Sequence, residues 1–166
     1  HLPKDIKWHF IGHLQTNKVK YIAPYVDMIH AVDSMKLLTE IDKQAKKCGR
    51  VISCLLQLHV ALEETKFGFT PDECRTFATE GEWRNLSHVK ICGLMCMASN
   101  TNDMQQVRTE FHQALELFRE LKSGPFAAHP SFRECSWGMS HDYHIAIEEG
   151  STLIRVGSSI FGERTY

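Results

Sequence analysis

The segment that decides the fold is "VISCLLQLHV", residues 51–60, where only a serine, a glutamine and a histidine interrupt an apolar series. A strand with one wet face alternates polar and apolar residues. A nearly continuous apolar run suits a strand covered on both faces, as in a parallel sheet flanked by helices. Both flanks of this segment agree. Upstream, "SMKLLTEIDKQAKKCG" (34–49) sets Met35, Leu37, Leu38 and Ile41 at helical spacing, with Ser34 as N-cap and Gly49 as stop. Downstream, the loop "ALEETKFGFT" (61–70) leads to a helix opening at "TPDE", where Pro71 is favourable in the first turn.

The same unit recurs in both directions. Towards the N-terminus, "MIHAVD" (28–33) and "KWHFIG" (7–12) read as strands, separated by a short helix in "QTNKVKYIAPYV" (15–26) that breaks at Pro24. Towards the C-terminus, "VKICGLMCMA" (89–98) reads as a strand with Ile91, Gly93, Met95 and Met97 on one face and Cys92, Leu94 and Cys96 on the other. The long helix "NDMQQVRTEFHQALELFRELK" (102–122) carries an apolar stripe of Met104, Val107, Phe111, Leu115 and Phe118. "FRECSWGMS" (132–140) is a strand, "HDYHIAIEEG" (141–150) a short helix, "TLIRVG" (152–157) a strand and "SSIFGE" (158–163) the start of one more helix. Strict strand–helix alternation defines an α/β chain of about six βα units. It fits either an open doubly wound sheet or part of a (β/α)₈ barrel of the TIM type; a complete barrel needs about 250 residues, roughly 200 at least, so 166 residues cannot close one.

Composition narrows the function. The chain is expected to be a single domain over residues 1–166, and its 43% hydrophobic content suffices for a core. Nineteen basic residues against twenty acidic ones, with no basic block, argue against a nucleic-acid partner. No apolar run reaches the roughly 18 residues of a membrane helix, and no signal-peptide core is visible, so no membrane association and a cytoplasmic location are expected. The six cysteines include no C-x-x-C pair and read as small hydrophobes.

In parallel α/β folds ligands gather at the carboxyl ends of the strands. After the fifth strand, Ser140 is placed to cap the next helix; after the sixth, Gly157 allows close backbone approach and Ser158 and Ser159 offer hydroxyls and N–H groups. Two adjacent turns of this kind form a candidate phosphate cradle. Arg155, inside an apolar strand, needs an acceptor: either a buried carboxylate such as Glu134 or a ligand. His141 and His144 stand three apart without a third ligand and read as a surface pair, while His9, His13, His30 and His59 read as core or rim histidines. No Walker loop, G-x-S-x-G elbow or G-x-G-x-x-G is present.

Five motifs together, "WHFIGHLQTNK" (8–18), "ETKFGF" (64–69), "GLMCMA" (93–98), "WGMSHDY" (137–143) and "GSTLIRVGSSIFGERTY" (150–166), resemble the pyridoxal-phosphate homeostasis proteins, which share the fold of the alanine racemase N-terminal domain. The resemblance runs from Trp8 to Tyr166. It implies a (β/α)₈ barrel that binds pyridoxal 5′-phosphate at its C-terminal rim, acts in vitamin B6 homeostasis and has no established catalysis. The alternatives left open are a racemase-like enzyme using the same cofactor and an interaction module that no longer binds it. By the same resemblance Met139, Ser140, Gly157 and Ser158 correspond to cofactor-binding positions, and Arg155 to the arginine facing the pyridine nitrogen. "KWHFIG" corresponds to the third strand of the family barrel, so the chain supplies strands three to eight of a longer protein. The Schiff-base lysine is expected outside this chain, since none of the lysines present occupies its position; Lys18 and Lys66 are expected at the surface. A monomer whose partner is the small-molecule cofactor is implied, with at best weak binding by these 166 residues alone.

Overall fold

A computed structural model describes residues 3, 5–61 and 67–162. The strands are β1 (Trp8–Phe10), β2 (Val26–Val32), β3 (Ile52–Leu58), β4 (Val89–Cys96), β5 (Glu134–Met139) and β6 (Leu153–Arg155). Between and after them come α1 (Val19–Ile22), α2 (Met35–Lys47), α3 (Pro71–Glu80), α4 (Met104–Ser123), α5 (Tyr143–Glu148) and α6 (Ser158–Phe161). The expected alternation holds. β2 begins earlier than "MIHAVD" suggested, because the chain turns immediately at Ala23–Tyr25 and Val26 is already buried.

All six strands are parallel, and their spatial order is their sequence order, β1 to β6. This order decides between the two candidate architectures. A doubly wound sheet reverses its strand order at a switch point and puts helices on both faces, whereas successive right-handed crossovers without reversal put every helix on one face. The core divides accordingly. One large apolar cluster joins the sheet to the helices, through Ile29, Leu38, Ile41, Leu56, Phe111 and Trp137 among others. A smaller one, Met28, Ala31, Leu55, Cys92 and Met95, consists of strand residues alone. The sheet curls around this second cluster, so that His9 of β1 and Leu153 and Arg155 of β6 line one cavity. The result is a curled, parallel, six-stranded half-barrel with helices outside.

β4 departs from the expected alternation. Ile91, Leu94 and Cys96 pack towards the helices, while Cys92 and Met95 pack on the concave side. The reason is a register shift against β3 between Cys54 and Leu55, which pair with Ile91 and Gly93 respectively. A bulge adds one residue to one strand and exchanges the faces beyond it. Gly93 makes the bulge possible: its φ is +151°, and a Cβ there would stand 1.8 Å from the Glu134 carbonyl oxygen.

Helix termini follow the sequence closely. The Leu37 amide donates to Ser34 Oγ at 3.3 Å, and Thr70 and Glu73 form a reciprocal capping box ahead of Pro71. Val107, Phe111 and Phe118 of the expected α4 stripe are buried, joined by Ala114, Leu117 and Leu121, while Leu115 is half-buried and Met104 exposed. Glu110 is buried on the same face: its carboxylate accepts from the Ser99 amide and hydroxyl, both at 2.7 Å, and so ties α4 to the turn after β4. Five cysteines are buried and Cys48 is exposed, all as free thiols.

Candidate functional site

The carboxyl ends of parallel strands share one rim, and the turns after β5 and β6 are neighbours on it. The β5 turn is folded by Asp142, whose buried carboxylate accepts from the Met139 amide at 2.5 Å. Gly138, at φ +91°, precedes it where a Cβ would strike Ala146 at 2.5 Å. Asp142 therefore takes the place at the head of α5 that was expected of Ser140. Ser140 points across to the next turn instead, its Oγ accepting from the amides of Gly157 at 3.1 Å and Ser159 at 3.4 Å. The two turns thus meet through one hydroxyl. Beside it the space over Gly157 is open, with no atom within 4 Å of an added Cβ.

Arg155 finds acceptors of a third kind, within the strands themselves. It forms no pair with Glu134, which is held by Arg133 at 3.0 Å. Its Nη1 donates to Ser136 O and Ser136 Oγ, both at 2.7 Å, and its Nη2 to Cys96 O at 2.9 Å. These bonds use three of the five guanidinium N–H donors. Burial pushes the guanidinium below its ordinary pKa, opposed by the charge of Asp142, yet it remains a cation at any physiological pH.

Met139, Ser140, Arg155, Gly157 and Ser158 all line one cavity of about 620 Å³, together with His9 and His30. The residues expected from the sequence are thus brought together by the fold, joined by His30, expected only as a core or rim histidine, and by Ser136, which was not singled out. His30 Nδ1 lies 2.9 Å from Ser136 Oγ, and His30 Nε2 lies 3.0 Å from His9 Nδ1. Burial, His9 and Arg155 push the His30 pKa down to about 3, so the ring is neutral. The available signal was a polar residue inside each of two apolar strands, "MIHAV" and "ECSWG".

Of the remaining histidine candidates His141 also lines the cavity, whereas His13 and His144 do not. His13 stacks on Phe67 with ring centroids 3.8 Å apart and stands 3.5 Å from Asp33, on the rim beyond β1 and β2. His141 faces Asp142 at 3.4 Å and His144 lies against Tyr143. Among the described residues no three metal-ligating side chains cluster. Lys18 lies near the Tyr21 ring, and Lys66 falls outside the described residues.

Comparison with known proteins places this arrangement in a class and then in a family. The alanine racemase N-terminal domain family matches residues 4–165, and alanine racemase of Clostridium difficile, 14% identical, shares the fold at a TM-score of 0.67 over 93% of this chain and 41% of its own. The class is that of the alanine racemase N-terminal domains. Closer relatives are more particular. The pyridoxal phosphate homeostasis protein of Aquifex aeolicus is 42% identical over 163 residues, covering 98% of this chain and 69% of that protein. The protein of the same name from Haemophilus influenzae is 34% identical over 162 residues, covering 98% and 67%. PipY of Synechococcus elongatus, solved without the cofactor, is 35% identical with a TM-score of 0.85 over 97% of this chain and 73% of its own. Its structure with pyridoxal phosphate bound matches at a TM-score of 0.82 and 34% identity, over 97% and 72%. The chain belongs to the pyridoxal phosphate homeostasis protein family.

Proposed function

We propose that the protein holds pyridoxal 5′-phosphate in the cavity between β1 and β6 and serves vitamin B6 homeostasis without turning over a substrate. The observation that carries the reading is the convergence of an arginine with two N–H donors to spare, a glycine with open space above it and the Ser140 hydroxyl on one cavity. The donor set fits the cofactor. Ser140, Gly157, Ser158 and the Ser159 amide would hold the phosphate, with Met139 alongside, and Arg155 would donate to the ring nitrogen. The cofactor, when bound, supplies an aldehyde reactive towards amines. Arg155 sets how far that chemistry goes: a permanent cation cannot accept the ring proton, so the ring nitrogen stays unprotonated and withdraws electrons poorly. That favours holding and delivering the cofactor over racemisation, which also needs an acid and a base on opposite faces of the substrate.

On the same reading β1–β6 are strands three to eight of a (β/α)₈ barrel forming a single domain. The outer edges of β1 and β6 pair with no other described strand, and Trp8 and Ile154 on those edges are 41% and 40% exposed. Two further parallel strands would cover both edges and close the barrel, and the chain spans about two thirds of the length of its relatives. The reading extends to a cytoplasmic monomer without a nucleic-acid partner. Among the described residues no helix is long and apolar enough to cross a membrane.

Titration of the protein with pyridoxal phosphate, followed by absorbance and by quenching of tryptophan fluorescence, tests the assignment. Saturable binding that weakens in Arg155→Ala and Ser140→Ala is expected; equal binding by wild type and both variants, or none by the full-length protein, overturns it.

A further inference from the structure

Arg155, Ser136, His30 and His9 form a continuous hydrogen-bonded chain that crosses four strands, β6, β5, β2 and β1. Its sense is fixed at one end. Arginine can only donate, so Ser136 Oγ accepts from Arg155 Nη1. The serine proton is then free to go to His30 Nδ1, 2.9 Å away. A neutral imidazole that accepts at Nδ1 carries its proton on Nε2, and that N–H donates to His9 Nδ1 at 3.0 Å. Reversing the sense would put both His30 Nδ1–H and Arg155 on the serine lone pairs and leave the Ser136 proton without its imidazole acceptor, in a residue with 0% exposure. Buried hydroxyls left unpaired are disfavoured.

We propose that Ser136 and His30 are positioning residues for Arg155: they lock the guanidinium in one plane and one direction of donation, leaving its two remaining N–H groups turned to the ligand. The cavity wall supports this. Both Nη1 bonds end on the same residue, Ser136, and the Nη2 bond ends on Cys96 of β4, so the fork is held between two strands. The hydroxyl is the one member of this set that could rotate, and His30 is what stops it. The neutral state of His30 serves the same end, since a second cation here would repel the guanidinium. The proposal rests on Arg155 facing the ligand, as argued above.

Nitrogen-15 NMR of the full-length protein decides it without any ligand. The expected result is His30 in the Nε2–H tautomer at neutral pH, and restricted rotation of the Arg155 guanidinium that gives separate Nη signals. In Ser136→Ala and in His30→Gln those signals are expected to merge, and pyridoxal phosphate affinity to fall about tenfold with a changed absorbance maximum for the bound cofactor. An Nδ1–H tautomer, or a guanidinium equally restricted in both variants, overturns the proposal. Wild-type protein that fails to bind the cofactor would overturn the function proposed for the site, while the NMR signals would still decide the positioning role.

Discussion

Lowering the pH should unfold this protein through His30 in particular. The ring is 2% exposed and its pKa in the folded state is pushed from 6.5 down to about 3. The folded value lies below the unfolded one, so between those limits the unfolded chain binds a proton that the folded chain refuses. Stability from this group is therefore complete above pH 6.5 and is lost as the pH falls towards 3. At 1.36 kcal/mol per pH unit, the 1.5 units between 6.5 and 5 amount to about 2 kcal/mol lost on going from pH 7 to pH 5. Nine other histidines and the carboxylates also titrate, so the measurement is a difference: urea unfolding of wild type and His30→Gln at both pH values. The variant starts less stable at pH 7, having lost hydrogen bonds, but its stability should fall by about 2 kcal/mol less between the two pH values. Equal pH sensitivity in the two proteins would refute the argument, since it would mean that His30 charges as readily in the folded chain as in water.

Gly93→Ala should lower stability by about 3 kcal/mol or more, because backbone strain adds to a collision with Glu134; Gly12→Ala, with nothing within 4 Å, is the control expected to stay within about 0.5 kcal/mol in the same urea titration. Gly157→Ala has an ordinary φ of −129° and open space, so its unfolding midpoint should match wild type while pyridoxal phosphate affinity falls at least about tenfold as the methyl fills the cradle. A thiol reagent applied to the native protein should modify Cys48 alone, with the other five reacting only after denaturation; burial keeps those thiols protonated, Cys74 and Cys135 being pushed up to about 12.

Most of the fold could be read because its signals are local. The apolar runs of β3 and β4, the Ser34 cap, the helix start at Pro71 and the stop at Gly49 each depend on a few adjacent residues. The faces of β4 could not, because the bulge at Gly93 follows from how closely the backbone of Glu134 approaches, which no pattern within β4 reports. The candidate site divides in the same way. Ser140, Arg155, Gly157 and Ser158 announce themselves by standing at strand ends or breaking an apolar run, and Met139 joins them through the family resemblance. The chain from Arg155 to His9 joins residues up to 106 positions apart in one step, His30 to Ser136, and only the curl of the sheet brings them into contact. Ser140 misled for a related reason: its nearest helix in sequence was α5, but its nearest unpaired amides in space were those of α6.

That contact also bears on which forms of the vitamin the proposed site would admit. Ser140 Oγ already occupies the amides of Gly157 and Ser159, so an incoming molecule must displace a neutral oxygen that is tethered in place. A charged phosphate oxygen forms hydrogen bonds roughly twice as strong as a neutral one and can take over both amides. The hydroxymethyl group of the unphosphorylated vitamin has no such advantage over a serine. On the function proposed above, the hydroxyl that closes the two turns on each other would favour the phosphorylated coenzyme over its precursor, and once displaced from the amides it would itself donate to the phosphate.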